Sequence, residues 1–205
     1  MDNKTINLSD KLIYGKGFHK KCYIHPYNPN LCIKIAYNEE GKEDIEREIN
    51  YLTILLKRNK DYKILPKYYG KISTNIGEGY VFELICNYDN TPCQTLENFL
   101  SNQKLLQENY DMILTSLKSL KNELLKNEII TLDLFAHNIL LQKIAPDRYQ
   151  VRIVNDMGSA VLIPLEYYFH YFAKTKIKRH WNRFITSLNK KYPSILIKKI
   201  IEEIK

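Results

Sequence analysis

The chain has 205 residues and carries 31 lysines and arginines against 23 aspartates and glutamates, a net charge of +8. That length can bury a core as one domain or two small lobes. No stretch approaches a membrane span, which argues against an integral helical membrane protein. Four scattered cysteines, Cys22, Cys32, Cys86 and Cys93, form no Cys-x-x-Cys pair, which argues against a zinc site. Cys22 and Cys32 sit in apolar runs and read as small core residues. The opening Met1-Asp-Asn-Lys-Thr has no apolar leader, so a cytoplasmic protein with reduced thiols is expected.

Strand-like segments flank Tyr14-Gly15-Lys16-Gly17-Phe18-His19-Lys20. Two glycines allow a hairpin whose backbone approaches phosphates, or simply a turn. Lys20 stands where a phosphate-covering loop would place a third glycine. Next, Leu31-Cys32-Ile33-Lys34-Ile35 puts one lysine inside an apolar strand. Lys34 is either an edge-strand gatekeeper or a cation aimed at phosphates, and in a buried strand it needs a partner.

From Asp44 to Leu56 the residues Ile45, Ile49, Leu52 and Leu56 recur at helical spacing. Glu48 beside that stripe is the candidate partner of Lys34, with Glu46 competing on another face. Gly79–Ile85 reads as a strand, breaking into the polar loop Cys86–Pro92. Such a passage suits a hinge whose backbone, at Glu83 and Ile85, hydrogen-bonds adenine while Phe82 limits pocket depth. Taken by themselves, these residues read more simply as a core strand followed by a surface loop.

Downstream, Ile113, Leu117, Leu120 and Leu124 predict a long core helix. Glu128–Thr131 and Ile139–Leu141 then read as short strands pinning a polar loop, with a further strand over Tyr149–Val154. The loop holds Asp133 and Asn138, and Asp156-Met157-Gly158 follows. One carboxylate to orient a hydroxyl, and an amide oxygen plus a second carboxylate to hold magnesium on ATP, form the set that protein-kinase-like folds use. Asp and Asn suit a hard cation, though both residues also cap ordinary turns. Pro164 opens a helix holding Tyr167, Tyr168, Phe172 and Ala173, whose aromatic cluster is expected in the core. The basic run Lys174–Arg183 is either a solvated helix face or a site for anionic partners such as lipid headgroups. No nucleic-acid motif accompanies it. Further helices are expected around Trp181 and from Pro193 to the end.

From Gly15 to about Phe184 the chain resembles the YrbL family of PhoP-regulatory-network proteins, which belong with the protein-kinase-like fold. The resembling stretches include Lys20–Pro26, Cys32–Ile35, Glu48–Leu52, Leu65-Pro-Lys-Tyr-Tyr-Gly70, Gly77–Val81, Asn138–Leu140, Leu162–Leu165 and Trp181–Phe184. The resemblance implies an α+β, bilobal fold: a β-rich N-lobe over residues 1–87 with one helix, and a mainly helical C-lobe over 88–205. Mg-ATP is expected between the lobes, with Gly15, Lys16 and Gly17 over the phosphates and Lys34, held by Glu48, contacting them. Asn138 and Asp156 would bind magnesium and Asp133 would orient the acceptor hydroxyl. The acceptor could be a small molecule, an envelope component or a protein.

Departures from a standard kinase are specific. Thr131-Leu132 replaces the His-Arg pair before Asp133, and Phe135 takes the place of a lysine that helps neutralise the γ-phosphate. No Ala-Pro-Glu follows Asp156. A non-catalytic, pseudokinase-type regulatory module is therefore the alternative, and a basic interaction protein the third reading.

Overall fold

The computed structural model describes residues 5–205; the start of the chain, Met1–Lys4, on which the reading of the leader rests, lies outside the described residues. The chain is a mixed α and β protein that divides into two compact units. One comprises the residues up to Thr53 together with Pro66–Ile85, and the other comprises Ile54–Leu65 with Cys86–Lys205.

The first unit is a five-stranded antiparallel sheet plus a helix. Its strands are β1 (Ile13–Lys16), β2 (Lys20–Ile24), β3 (Leu31–Ala36), β4 (Tyr68–Thr74) and β5 (Gly77–Glu83), ordered β1-β2-β3-β5-β4. Side chains alternate across a strand, so one face of β3 carries Ile33 and Ile35 while the other carries Cys32 and Lys34. Ile33 and Ile35 join Ile6, Leu8, Tyr23 and Val81 in an apolar cluster. On the opposite face, register sets Cys22 and Tyr80 on either side of Lys34.

Helix α1 (Glu39–Lys57) follows β3. Its buried lane runs through Ile45, Glu48, Tyr51, Leu52 and Leu55, while Leu56 is exposed. The expected stripe through Leu56 is thus shifted by one residue, and Glu48 lies within the buried lane rather than beside it. A Cβ on Gly41 would come within 2.2 Å of the His19 carbonyl oxygen, so only glycine lets the first turn pass the β1–β2 hairpin this closely.

The second unit combines helices with a small sheet. β6 (Gln94–Thr95), β7 (Ile139–Ala145) and β8 (Arg148–Ile153) pair antiparallel in that order. Short helices α2 (Leu96–Ser101) and α3 (Gln103–Glu108) lead into α4 (Tyr110–Asn127), followed later by α5 (His170–Lys191) and α6 (Ile195–Ile204). The stripe Ile113, Leu117, Leu120 and Leu124 is buried, as the periodicity predicts. Trp181 is buried too, donating from Nε1 to the Ile204 carbonyl at 3.1 Å, which ties α5 to the last turn of α6. Residues 128–131 do not form the expected strand; only Thr131 makes an isolated bridge, to Met157.

The aromatic segment near Pro164 departs from expectation. The helix does not begin there: Leu165–Tyr167 is a single 3-10 turn and α5 starts at His170. Tyr167 and Ala173 are buried, but Tyr168 is 67% exposed and Phe172 45%. With the break between turn and helix, these rings fall outside the apolar lane of Ala173, Ile177, Trp181 and Phe184. Among the described residues no helix is long and apolar enough to cross a membrane, and the four cysteines are free thiols.

Candidate functional site

In the first unit Lys34 points from β3 onto α1. Its Nζ lies 2.8 Å from Glu48 Oε2, and Lys20 Nζ lies 3.0 Å from Glu48 Oε1. Glu48 is fully buried and Lys34 nearly so. Burial disfavours charge on Lys34, yet the opposing charge and hydrogen bond of Glu48 outweigh it and hold the ammonium above its ordinary range. Burial likewise works against the Glu48 carboxylate, and Lys34 and Lys20 together keep it below the usual range. The Lys34 Nζ also sits 4.5 Å from the centre of the Phe82 ring, a cation–π contact. Glu46, the competing candidate, faces Lys71 at 3.6 Å instead. Lys20, read as a missing glycine, is the second cation of this cluster. Its position two residues before Cys22 on an adjacent strand gave no sequence signal that it reaches α1.

Around this cluster, Gly17 N–H donates to the Lys20 carbonyl at 2.9 Å and closes the β1–β2 turn, with Lys16 exposed and Phe18 at the tip. A Cβ on Gly15 would meet nothing within 4 Å. At the end of β5, Glu83 N–H donates to the Lys67 carbonyl at 2.8 Å, and the Glu83 carbonyl accepts from Cys32 Sγ at 3.8 Å. Ile85 is buried.

In the second unit the loop bearing Asp133 is stitched to the loop bearing Asp156. Leu132 N–H donates to the Asp156 carbonyl at 2.7 Å and Gly158 N–H to the Ile130 carbonyl at 2.9 Å. Asn138 Nδ2 donates to Asp156 Oδ2 at 2.6 Å, while Asn138 Oδ1 accepts from Asn155 Nδ2 at 3.3 Å. The two oxygen-bearing side chains thus touch although 18 residues separate them. Asp156 has φ +60° and Gly158 φ +89°. A left-handed aspartate is an uncommon, mildly strained conformation of the kind that clusters at functional sites. Asp133 is half-buried, its carboxylate accepting from Leu134 N–H at 3.1 Å.

Several supports were invisible in the sequence. The buried imidazole of His180 hydrogen-bonds the Thr131 backbone, and burial holds it below its ordinary value. Glu128 ends α4 in a left-handed turn at φ +55°, its buried carboxylate 2.7 Å from Arg58 and 2.9 Å from Lys60. Beyond Gly158, Ser159 Oγ donates to the buried Glu166 at 2.6 Å and accepts from Lys176 at the same distance; Lys176 also pairs with Glu166. Lys176 therefore departs from the solvated basic run around it. Phe135, which stands in for a cation, stacks on His137 with ring centres 5.3 Å apart.

A magnesium ion prefers one or two carboxylates plus substrate phosphates over a dedicated protein cage. Asp156 supplies one such carboxylate, and Asn138 an amide oxygen that here accepts from Asn155 while its Nδ2 faces Asp156, so the amide would turn to share an ion with Asp156. Among the described residues no group of three or more His, Cys, Asp or Glu could hold a metal ion.

The family model for the PhoP regulatory network protein YrbL matches residues 6–189. The chain belongs to the YrbL family. It is 36% identical over 182 residues to the protein named Uncharacterized protein YrbL from Escherichia coli (strain K12), covering 88% of this chain and 86% of that relative. The Shigella flexneri YrbL protein matches to the same extent. The matched range of this YrbL-family chain includes Lys34, Glu48, Asp133, Asn138 and Asp156 alike.

Proposed function

We propose that this YrbL-family protein has a bilobal kinase-like fold and is a magnesium-dependent phosphotransferase that moves the γ-phosphate of ATP to a hydroxyl. The observation that carries the reading is the direct contact of Asn138 with Asp156 on a loop stitched to that of Asp133. The Lys34–Glu48 pair adds an ammonium fixed by a buried carboxylate, the arrangement that prepares a lysine for phosphate contact. Lys34 would neutralise the α- and β-phosphates, with Gly15, Lys16 and Gly17 covering them. Glu83 and Ile85 would meet adenine through their backbone. Asn138 and Asp156 would hold magnesium, which supplies charge neutralisation at the phosphates. Asp133 would accept the proton of the attacking hydroxyl as its oxygen bonds to the γ-phosphorus and ADP departs. Positioning and charge neutralisation supply nearly all the rate enhancement in such a site.

The sequence leaves the acceptor class open. Without an Ala-Pro-Glu segment the acceptor is as readily a small or envelope-related molecule as a protein, in keeping with a PhoP-type response to envelope or magnesium stress. Phe135 favours one second reading, a nucleotide-binding regulatory module without transfer, because it removes a cation where charge develops; one such donor is worth about 3–4 kcal/mol.

Incubation of the purified chain with ATP should yield magnesium-dependent ADP, measured by chromatography. ATP binding without ADP formation would support the regulatory module instead, and absence of both would end either reading.

A further inference from the structure

The segment after Gly158 presents an apolar tip to solvent. Leu162 is 98% exposed, Ile163 72% and Val161 53%. Tyr168, Phe169 and Tyr171, all more than half exposed, border it. Neighbouring exposed apolar side chains of this kind mark an interaction site. It is also built rather than loose. The Ser159–Glu166–Lys176 network holds the two ends of the loop together, and Tyr167 Oη accepts from Ser159 N–H. The hydrophobic tip is therefore displayed on a buried polar clasp.

Next to the tip stands a cationic helix. Tyr171, Lys174 and Lys178 follow one another at helical spacing along one flank of the exposed side of α5, and Phe172, Arg179 and Arg183 along its other flank, with Thr175 and Asn182 between them. From Ala160 to Lys191 the one acidic residue is Glu166, which is buried and paired. Three features together select the occupant. The tip protrudes, which suits insertion into a soft medium better than capture of a peptide, for which a groove is needed. Tyrosines flank aliphatic side chains, the pairing favoured at the headgroup level of a bilayer. The cations lie alongside with no exposed acid in residues 160–191, which complements anionic lipid and repels a second copy of the same face.

We propose that this loop and the exposed side of α5 form a peripheral docking surface for an anionic lipid bilayer. Leu162 and Ile163 enter the acyl boundary, the tyrosines lie at the headgroups, and Lys174, Lys178, Arg179 and Arg183 meet lipid phosphates. The surface stands independently of the nucleotide reading, since none of these residues belongs to the proposed nucleotide site.

Vesicle flotation tests it with the full chain. The wild type should float with vesicles of phosphatidylcholine and phosphatidylglycerol, remain behind with phosphatidylcholine alone, and release as salt is raised. Leu162→Glu/Ile163→Glu and, separately, Lys174→Glu/Lys178→Glu should each lower partition by roughly tenfold or more. Each pair is exposed, so circular dichroism should show unchanged folding. Equal binding to neutral and anionic vesicles, no binding to either, or either variant floating like the wild type would overturn the proposal. Self-association of the wild type through this loop, seen in sedimentation and lost in the Leu162→Glu/Ile163→Glu variant, would overturn it in favour of a second copy.

Discussion

A Glu48→Gln variant should lose about 3–5 kcal/mol of unfolding stability, the cost of leaving buried charges unpaired. Glutamine matches glutamate in size, so no cavity contributes. What changes is charge. Lys34 and Lys20 both lie within hydrogen-bond distance of the Glu48 carboxylate, and all three groups are largely removed from water. Without the carboxylate, two ammonium groups face each other across a neutral amide. Urea denaturation should show a lower midpoint with the slope preserved.

Glu46→Gln is the control. The Glu46–Lys71 pair is partly exposed on both sides, so its loss should cost at most about 1 kcal/mol. Equal effects of the two variants would contradict the buried-pair account. The pH dependence has a definite sign. The Glu48 pKa is lowered from 4.5, so its stabilisation is complete above that value and lost as pH falls further, through its folded-state pKa. The Lys34 pKa is raised from 10.5, so its stabilisation is complete below that value and lost as pH climbs beyond it. The wild type should therefore keep the pair's full contribution across neutral pH, and the acid-side loss should shrink in Glu48→Gln.

Asp133→Asn should reduce ADP formation by about 10²–10⁴-fold while leaving ATP binding unchanged, the range expected for removal of a positioned general base. Asparagine can still accept from Leu134 N–H, so the loop keeps its geometry. It cannot take a proton from a hydroxyl. The contrast with Asp156→Asn is informative, because in the proposed function that change would weaken a metal ligand and should depress magnesium-dependent binding as well. An Asp133→Asn variant as active as the wild type would assign the proton elsewhere and remove Asp133 from the chemistry.

Much of this was legible in the sequence, and the failures have physical causes. Lys34 stood out because a charge in an apolar strand demands a partner, and a helix with carboxylates followed at once. Choosing Glu48 over Glu46 was correct, yet the helix lane was misread at Leu56, since Leu55 and Leu56 are equally apolar and only packing distinguishes them. Lys20 escaped notice because pairing across a sheet and onto a helix leaves no local pattern. Asn138 and Asp156 are expected together because they fall in the oxygen-donor set of kinase-like folds, and they do touch, whereas the supports at His180, Glu128 and Glu166 leave no sequence signal. His180 and Glu128 are titratable residues made structural by partners distant in sequence, and Glu166 by Ser159 and Lys176 across the break between two elements. The aromatic run after Pro164 was placed in the core by composition; the break in helix before His170 turned most of those rings outward.

The proposed function requires Asn138 and Asp156 to hold a magnesium-bound triphosphate. Isothermal titration with ATP, with and without magnesium, tests it most directly. The account predicts saturable heat for wild type in the presence of magnesium, marked weakening when magnesium is withdrawn, and equal weakening in Asp156→Asn. No heat in either condition, or binding indifferent to both magnesium and Asp156, would contradict it.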